Sequence, residues 1–88
     1  MTIRKLQSND PLPAAGVVFW WSNILRSFQL RVYSDGRELV GLRELHIDRT
    51  SVEAVAHKLA IAMNLALFEV EIEQLDFHTL GITAPTKP

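Results

Sequence analysis

The chain has 88 residues, no cysteine and a formal net charge of −1. This length fits one domain near the lower limit for a single hydrophobic core, and the missing cysteines exclude a disulfide framework and a thiolate zinc site. A charge near zero gives no general attraction to nucleic acid or to an acidic membrane. Because 48% of the residues are hydrophobic and so short a chain cannot bury them all, we expect an apolar surface that binds a partner or a second copy.

The sequence predicts neither a signal peptide nor a membrane span. The longest apolar run, residues 14–21, follows two prolines, and it is far shorter than the roughly 20 residues that a membrane helix needs. The absence of cysteine is compatible with the cytoplasm. We therefore expect a soluble, cytoplasmic protein without membrane contact.

The N-terminal part predicts an arm followed by a strand. Residues 1–13 contain a turn-rich, proline-punctuated stretch, which indicates a flexible arm; a short docking strand around Ile3 and Leu6 is the alternative. Residues 16–21, GVVFWW, are β-branched and aromatic and predict a strand. A helix is the rival interpretation, since a short apolar run does not separate the two by its periodicity.

The middle of the chain predicts a β-hairpin. From residue 24 to residue 32 the even positions are apolar, except Arg26, and the odd positions from residue 27 to residue 33 are polar or amphipathic, as in a half-buried strand. Asp35-Gly36 then favours a type I′ turn, which needs positive φ at both central residues. In the return strand, residues 38–47, the apolar side chains change from even to odd positions. An extra residue in one strand would produce this change, so we predict a β-bulge near Arg43-Glu44.

A helix and a last strand follow. Residues 50–66 have apolar side chains at helical spacing, and Thr50 with Glu53 fits a capping box. Residues 68–73, FEVEIE, alternate apolar and acidic side chains, which predicts a strand with one buried and one solvated face. The predicted helical stripe consists of Val52, Val55, Ala56, Leu59, Ala62 and Met63.

The predicted fold class is α+β, with the order β-β-β-α-β. We expect a small, mostly antiparallel sheet with one amphipathic helix packed on one face. The folded domain spans residues 14–80, between the flexible arm at residues 1–13 and a disordered C-terminal tail at residues 81–88 that carries two prolines.

No motif in the chain predicts an enzyme or a cofactor site. There is no G-x-S-x-G elbow, no phosphate-binding glycine loop and no H-E-x-x-H pair. Glu44, His46 and Asp48 alternate along a predicted strand and carry groups that bind divalent metals, with His57 as a further ligand. This spacing is a weak signal and the helix is expected to cover the opposite face, so we assign no metal site.

Two adjacent tryptophans are the best functional clue. Neighbouring residues of a strand point to opposite faces, so one ring is expected in the core and the other at an exposed or partner-facing surface, unless helix and tail bury both. We therefore predict a small non-catalytic protein-interaction module, of adaptor, regulator or inhibitor type. It acts as a homodimer through exposed aromatic and strand-edge surface. The candidate partner-binding residues are Trp20, Trp21, Phe28 and Tyr33.

The alternative function is nucleic-acid binding by arginines of the hairpin. The first 49 residues are net basic and the remainder net acidic, and a sheet that carries arginine and aromatic side chains is one way to grip nucleic acid. The competing interpretation is that Arg31 and its neighbours pair across strands with the acids at Glu69, Glu71 and Glu73. The candidate nucleic-acid-binding residues are Arg26, Arg31, Arg37 and Arg43.

Overall fold

The structure is a computed structural model that describes residues 2–7, 10, 13–23 and 25–70. The predicted continuation of the last strand to residue 73 and the predicted tail at residues 81–88 lie outside the described residues. The elements are β1 (Ile3–Leu6), β2 (Gly16–Ser22), β3 (Ser27–Ser34), β4 (Arg37–Glu38), β5 (Glu44–His46), α1 (Arg49–Met63) and β6 (Leu67–Val70), with a 3₁₀ turn at Val40–Leu42.

The predicted α+β class is confirmed, as a mixed, mostly antiparallel sheet with one helix. The strand order is β1-β6-β2-β3-β4, and β5 also pairs with β3. β3 is antiparallel to β2, β4 and β5, whereas β6 is parallel to β2 and β1 is parallel to β6. After the central hairpin the chain crosses back through α1 to β6, which lies between β2 and the N-terminal strand β1 and is parallel to both. In the part of the chain that the structure describes, no helix is long and apolar enough to cross a membrane.

Two expectations for the first half of the chain are resolved by strand pairing. Residues 16–21 form a strand rather than a helix, and Gly16–Ser22 pairs with β3 along its whole length. Ile3–Leu6 forms the short docking strand that was the alternative to an arm, in parallel register with β6 from Ile3↔Leu67 to Leu6↔Val70.

The turns of the hairpin follow the backbone preferences of their residues. Asp35 has φ 53° and Gly36 has φ 76°, as the predicted type I′ turn requires. Arg26, which broke the alternation of the sequence, lies in the turn between β2 and β3 with φ 55°. Its amide donates to the Ser22 carbonyl at 2.8 Å, so it belongs to neither strand.

The predicted β-bulge near Arg43-Glu44 is wrong. β4 ends at Glu38, a 3₁₀ turn occupies Val40–Leu42, and β5 resumes the pairing with β3. The turn moves the apolar side chains from even to odd positions, as a bulge would. It also packs Leu39 and Leu42, both half-buried, against the core while the ladder is interrupted.

The helix cap lies two residues before the predicted one. Asp48 is the N-cap, and its carboxylate accepts a hydrogen bond from the Ser51 amide at 2.7 Å. The predicted capping box of Thr50 and Glu53 is wrong, since a box needs its acid three residues after the cap. Glu53 instead pairs with Arg49 one turn earlier, at 2.8 Å. The helix ends at Met63, and its C-cap, Asn64, adopts a left-handed conformation that terminates helices readily.

Apolar side chains cover both faces of the sheet. We call the face under α1 the helix face and the opposite one the far face. Because residues 17–21 of β2 are all apolar, this central strand has apolar side chains on both faces. The helix-face layer consists of Val17, Phe19, Leu30, Val32 and Leu67 with Val52, Ala56 and Ala60 of α1. The far-face layer consists of Val18, Trp20, Tyr33 and Val70, flanked by Leu6 and Phe68.

Candidate functional site

Trp21 and Phe28 lie side by side on the helix face, where β2 ends and β3 begins. They are direct partners in the β2–β3 register, and their rings meet edge to face with centroids 5.0 Å apart and planes at 71°. Both side chains are half-buried. The Trp21 indole Nε1 donates to Asn23 Oδ1 at 3.0 Å, which sets the orientation of the ring.

Arg49, the first residue of α1, covers the Phe28 ring. Its guanidinium carbon lies 5.4 Å from the ring centroid, a geometry that contributes about 0.5–1 kcal/mol at an exposed site. His46 lies opposite Phe28 on the neighbouring strand β5. Trp21, Phe28 and His46 therefore form a row across three strands, with Arg49 above its middle. We call Trp21, Phe28 and Arg49 the aromatic surface.

Glu69 of β6 holds Arg49 in place. Its carboxylate accepts from Arg49 Nη1 at 3.2 Å and Nη2 at 2.5 Å, and from Lys5 Nζ at 3.0 Å. The side chain of Glu69 is 9% exposed, against 49% for Arg49 and 53% for Lys5. Burial acts to raise the pKa of Glu69, but hydrogen bonds and charge from Arg49 and Lys5 outweigh it and lower this pKa. The cluster joins α1, β6 and β1.

The solvated acidic face predicted for the last strand is wrong at Glu69. Leu67 belongs to the helix-face layer, so Glu69 shares that face and is buried, while Phe68 and Val70 pack on the far face. The reason is that Arg49 and Lys5 bring two positive charges to this end of the helix face. A buried carboxylate is tolerated when it is paired and hydrogen-bonded.

The other two predicted partner-binding residues belong to the far-face layer. Trp20 is 1% exposed and Tyr33 is 2% exposed. The Arg31 guanidinium carbon lies 5.3 Å from the Trp20 ring centroid. The Tyr33 hydroxyl lies near Arg31 without a hydrogen bond of normal geometry, and burial, with a smaller effect of Glu38, raises the pKa of Tyr33 to about 12. A partner cannot reach these rings, so Trp21 and Phe28 are the two that the candidate site retains.

The four candidate nucleic-acid-binding arginines do not form one basic face. Arg31, whose side chain is 5% exposed, lies 3.6 Å from the Glu38 carboxylate, and Arg43 pairs with the same carboxylate. Arg26 and Arg37 flank opposite ends of β3, roughly 27 Å apart at the usual rise per residue. The predicted pairing of Arg31 with Glu69 is also wrong, because β2 separates their strands. Glu71 and Glu73 lie outside the described residues.

Glu44, His46 and Asp48 do not converge on a common point. His46 Nε2 lies 2.9 Å from Glu44 Oε1, whereas the Asp48 carboxylate caps α1. Glu44 and His46 pair with Leu30 and Phe28, so they share the helix face rather than the opposite face expected from the sequence. Among the residues that the structure describes, no three metal-ligating side chains are grouped closely enough to hold an ion.

Arg49 and Glu69 were not recognised as one site from the sequence. The spacing of Arg49 and Glu53 indicates an ion pair along a helix, but contact with Phe28 and Glu69 depends on how α1 crosses the sheet. The local signal was an arginine directly after a helix cap, followed 20 residues later by an acid in a strand. Comparison of the chain with protein-family models, with curated proteins and with solved structures finds no match.

Proposed function

We propose that this chain is a small non-catalytic protein-interaction module that binds a protein partner through the aromatic surface. The observation that carries the proposal is the stack of Trp21, Phe28 and Arg49 at the surface. Tryptophan and arginine are enriched among the residues that dominate binding energy at protein interfaces. A partner that covers this apolar centre removes it from water, and this favours binding.

The surface is held in its conformation before any partner arrives. Asn23 orients the Trp21 ring, and Glu69 holds Arg49 over Phe28. A side chain that is already ordered loses less entropy when it is bound. Lys5 and Glu53 lie around the apolar centre and remain partly exposed, which resembles the polar rim of protein interfaces.

Self-association is part of the same proposal. Large apolar side chains remain exposed, as the composition predicted, and they favour a homodimer. A chain without cysteine is suited to the reducing cytoplasm, where the module acts as an adaptor, regulator or inhibitor. The exposed apolar residues are Leu25, Val40, Leu45, Ile47 and Ile61.

Affinity purification of the tagged full chain from its own cells tests the proposal. We expect at least one protein to be recovered with the wild type and with the control Arg37→Ala, which alters an exposed residue of the distant strand β4. Trp21→Ala should lose that protein by tenfold or more, since truncating a dominant interface residue costs about 2 kcal/mol or more. Melting curves establish that each variant is folded. Equal recovery with Trp21→Ala, or no recovery with the wild type, contradicts the proposal.

A further inference from the structure

The two outer edges of the sheet differ in chemistry. Native sheets protect edge strands with charged side chains, and β1 does so with Arg4 and Lys5, both exposed. The edge at β5 instead exposes Leu45 (63%) and Ile47 (77%). Among the described residues, β5 pairs with β3 alone, and no described strand pairs with its outer edge.

We propose that β5 pairs with β5 of a second copy of this chain, antiparallel, with the two-fold axis at Leu45. The two sheets then form one continuous sheet. The inference rests on the proposed function, because it specifies the homodimer and leaves the aromatic surface to a different partner. Strand addition of this kind derives its affinity from main-chain hydrogen bonds and its specificity from the alternate side chains.

Symmetry limits the possible registers to three. A two-fold axis perpendicular to the sheet places one residue opposite its own copy, and β5 offers Glu44, Leu45 and His46 for that position. An axis at Glu44 places two carboxylates opposite each other. An axis at His46 places Glu44 opposite Asp48 of the second copy. Both arrangements oppose like charges, which destabilises a sheet.

The axis at Leu45 gives a complementary register. Leu45 packs against Leu45 of the second copy. Each Glu44 lies opposite His46 of the other copy, so there are two such pairs. Within one chain Glu44 Oε1 already lies 2.9 Å from His46 Nε2, so acid and imidazole alternate across the joined strands. The next pair places Ile47 against the aliphatic stem of Arg43, whose guanidinium Glu38 already holds.

The joined sheet also positions the two aromatic surfaces. Because the axis is perpendicular to the sheet, both helix faces lie on the same side. The row of Trp21, Phe28 and His46 in one copy then continues through Glu44 of the second copy. A partner with two matching segments gains avidity from such a pair of surfaces.

Cysteine cross-linking tests the register directly, since the chain contains no cysteine of its own. Directly opposite residues have Cα atoms about 4.5–5.5 Å apart, within the range that a disulfide spans. Leu45→Cys should therefore give a disulfide-linked dimer under mild oxidation. In this register the two copies of residue 44 lie about 8 Å apart, so Glu44→Cys should give none. Absence of the linked dimer with Leu45→Cys overturns the register.

Sedimentation velocity tests the dimer itself. We expect the wild type to dimerise and Leu45→Lys to be monomeric, because two lysines would face each other at the axis. Ile61→Lys is the matched control: Ile61 is equally exposed, at 67%, but lies on α1, and this variant should remain dimeric. Glu44→His and His46→Glu should each weaken the dimer, and their combination should restore it.

A wild type that stays monomeric at the highest measurable concentration overturns the pairing of β5, as does a dimeric Leu45→Lys. Neither result affects the aromatic surface, which the Trp21→Ala purification tests separately. At a concentration where both proteins are monomeric, unfolding curves should show little difference in stability between Leu45→Lys and the wild type, since the side chain is exposed.

Discussion

Replacing Glu69 with glutamine tests whether the buried carboxylate fastens β6 to α1 and β1. The change removes one negative charge and keeps the shape of the side chain. Breaking a fully buried ion pair costs about 3–5 kcal/mol, and breaking an exposed pair costs about 0–1 kcal/mol. Glu69 is 9% exposed, but Arg49 and Lys5 are about half exposed, and they regain water when the charge is lost.

The expected loss lies between these limits, at about 2 kcal/mol of the free energy of unfolding. For a domain of this size such a loss lowers the melting temperature by about 8–16 °C. Urea and thermal unfolding followed by circular dichroism measure both quantities. Glu53→Gln is the matched control, because Glu53 pairs with the same arginine from a more exposed position, 33% against 9%. Its expected cost is about 1 kcal/mol at most.

The pH dependence provides a second measurement of the same contribution. The pKa of Glu69 is lowered in the folded chain from its ordinary value of 4.5. Its stabilisation is therefore complete above about pH 4.5 and is lost as the pH falls through the lowered value. The difference between wild type and Glu69→Gln should close over that range. A variant that melts within about 2 °C of the wild type at neutral pH, or a difference that persists in acid, refutes the role assigned to this carboxylate.

Three further measurements address the helix cap and the far face. Asp48→Ala should lower the melting temperature more than Thr50→Ala does, and its effect should disappear in acid because hydrogen bonding lowers the pKa of Asp48 below 3.8. Tyr33 is the sole tyrosine, so an ultraviolet titration should place its pKa at about 12. Stability should fall between pH 10 and 12, since the unfolded chain ionises first; ionisation near pH 10 would contradict its burial. Trp20→Ala should cost about 3–5 kcal/mol in urea unfolding and Trp21→Ala less, and the opposite order would contradict the assignment of the two rings to their faces.

The hairpin was predictable because its signals are local. The alternation along β3 correctly placed Leu30 and Val32 on one face, and Asp35-Gly36 correctly indicated the turn. The β-branched and aromatic run of β2 correctly indicated a strand. These features depend on near neighbours in the sequence, and a one-residue error would expose several apolar side chains.

The remaining features depend on contacts between distant residues. A switch of the apolar side chains from even to odd positions is compatible with a bulge or with a turn. In the structure a turn packs Leu39 and Leu42, both half-buried, against the core. The alternation in β6 did not indicate which set of side chains faces α1, because that depends on Leu67, just outside the regular pattern. Only part of the site was predicted, for the same reason. Trp21 and Phe28 were predicted because large aromatic residues are conspicuous in a sequence, whereas Arg49 and Glu69 meet only after the helix has crossed the sheet.

The parallel pairing of β1 with β6 has a consequence for the order in which the molecule assembles. Lys5 and Glu69 are 64 positions apart in the chain, whereas β2 and β3 are joined by a short turn. Long-range pairing is slow because loop-closure entropy opposes it. The hairpin should therefore form early, and β1, although it leaves the ribosome before β6, should have no strand to join until β6 has been synthesised. Hydrogen exchange during refolding should protect the amides of Gly16–Ser22 before those of Ile3–Leu6, so that a strand made before the hairpin is secured after it.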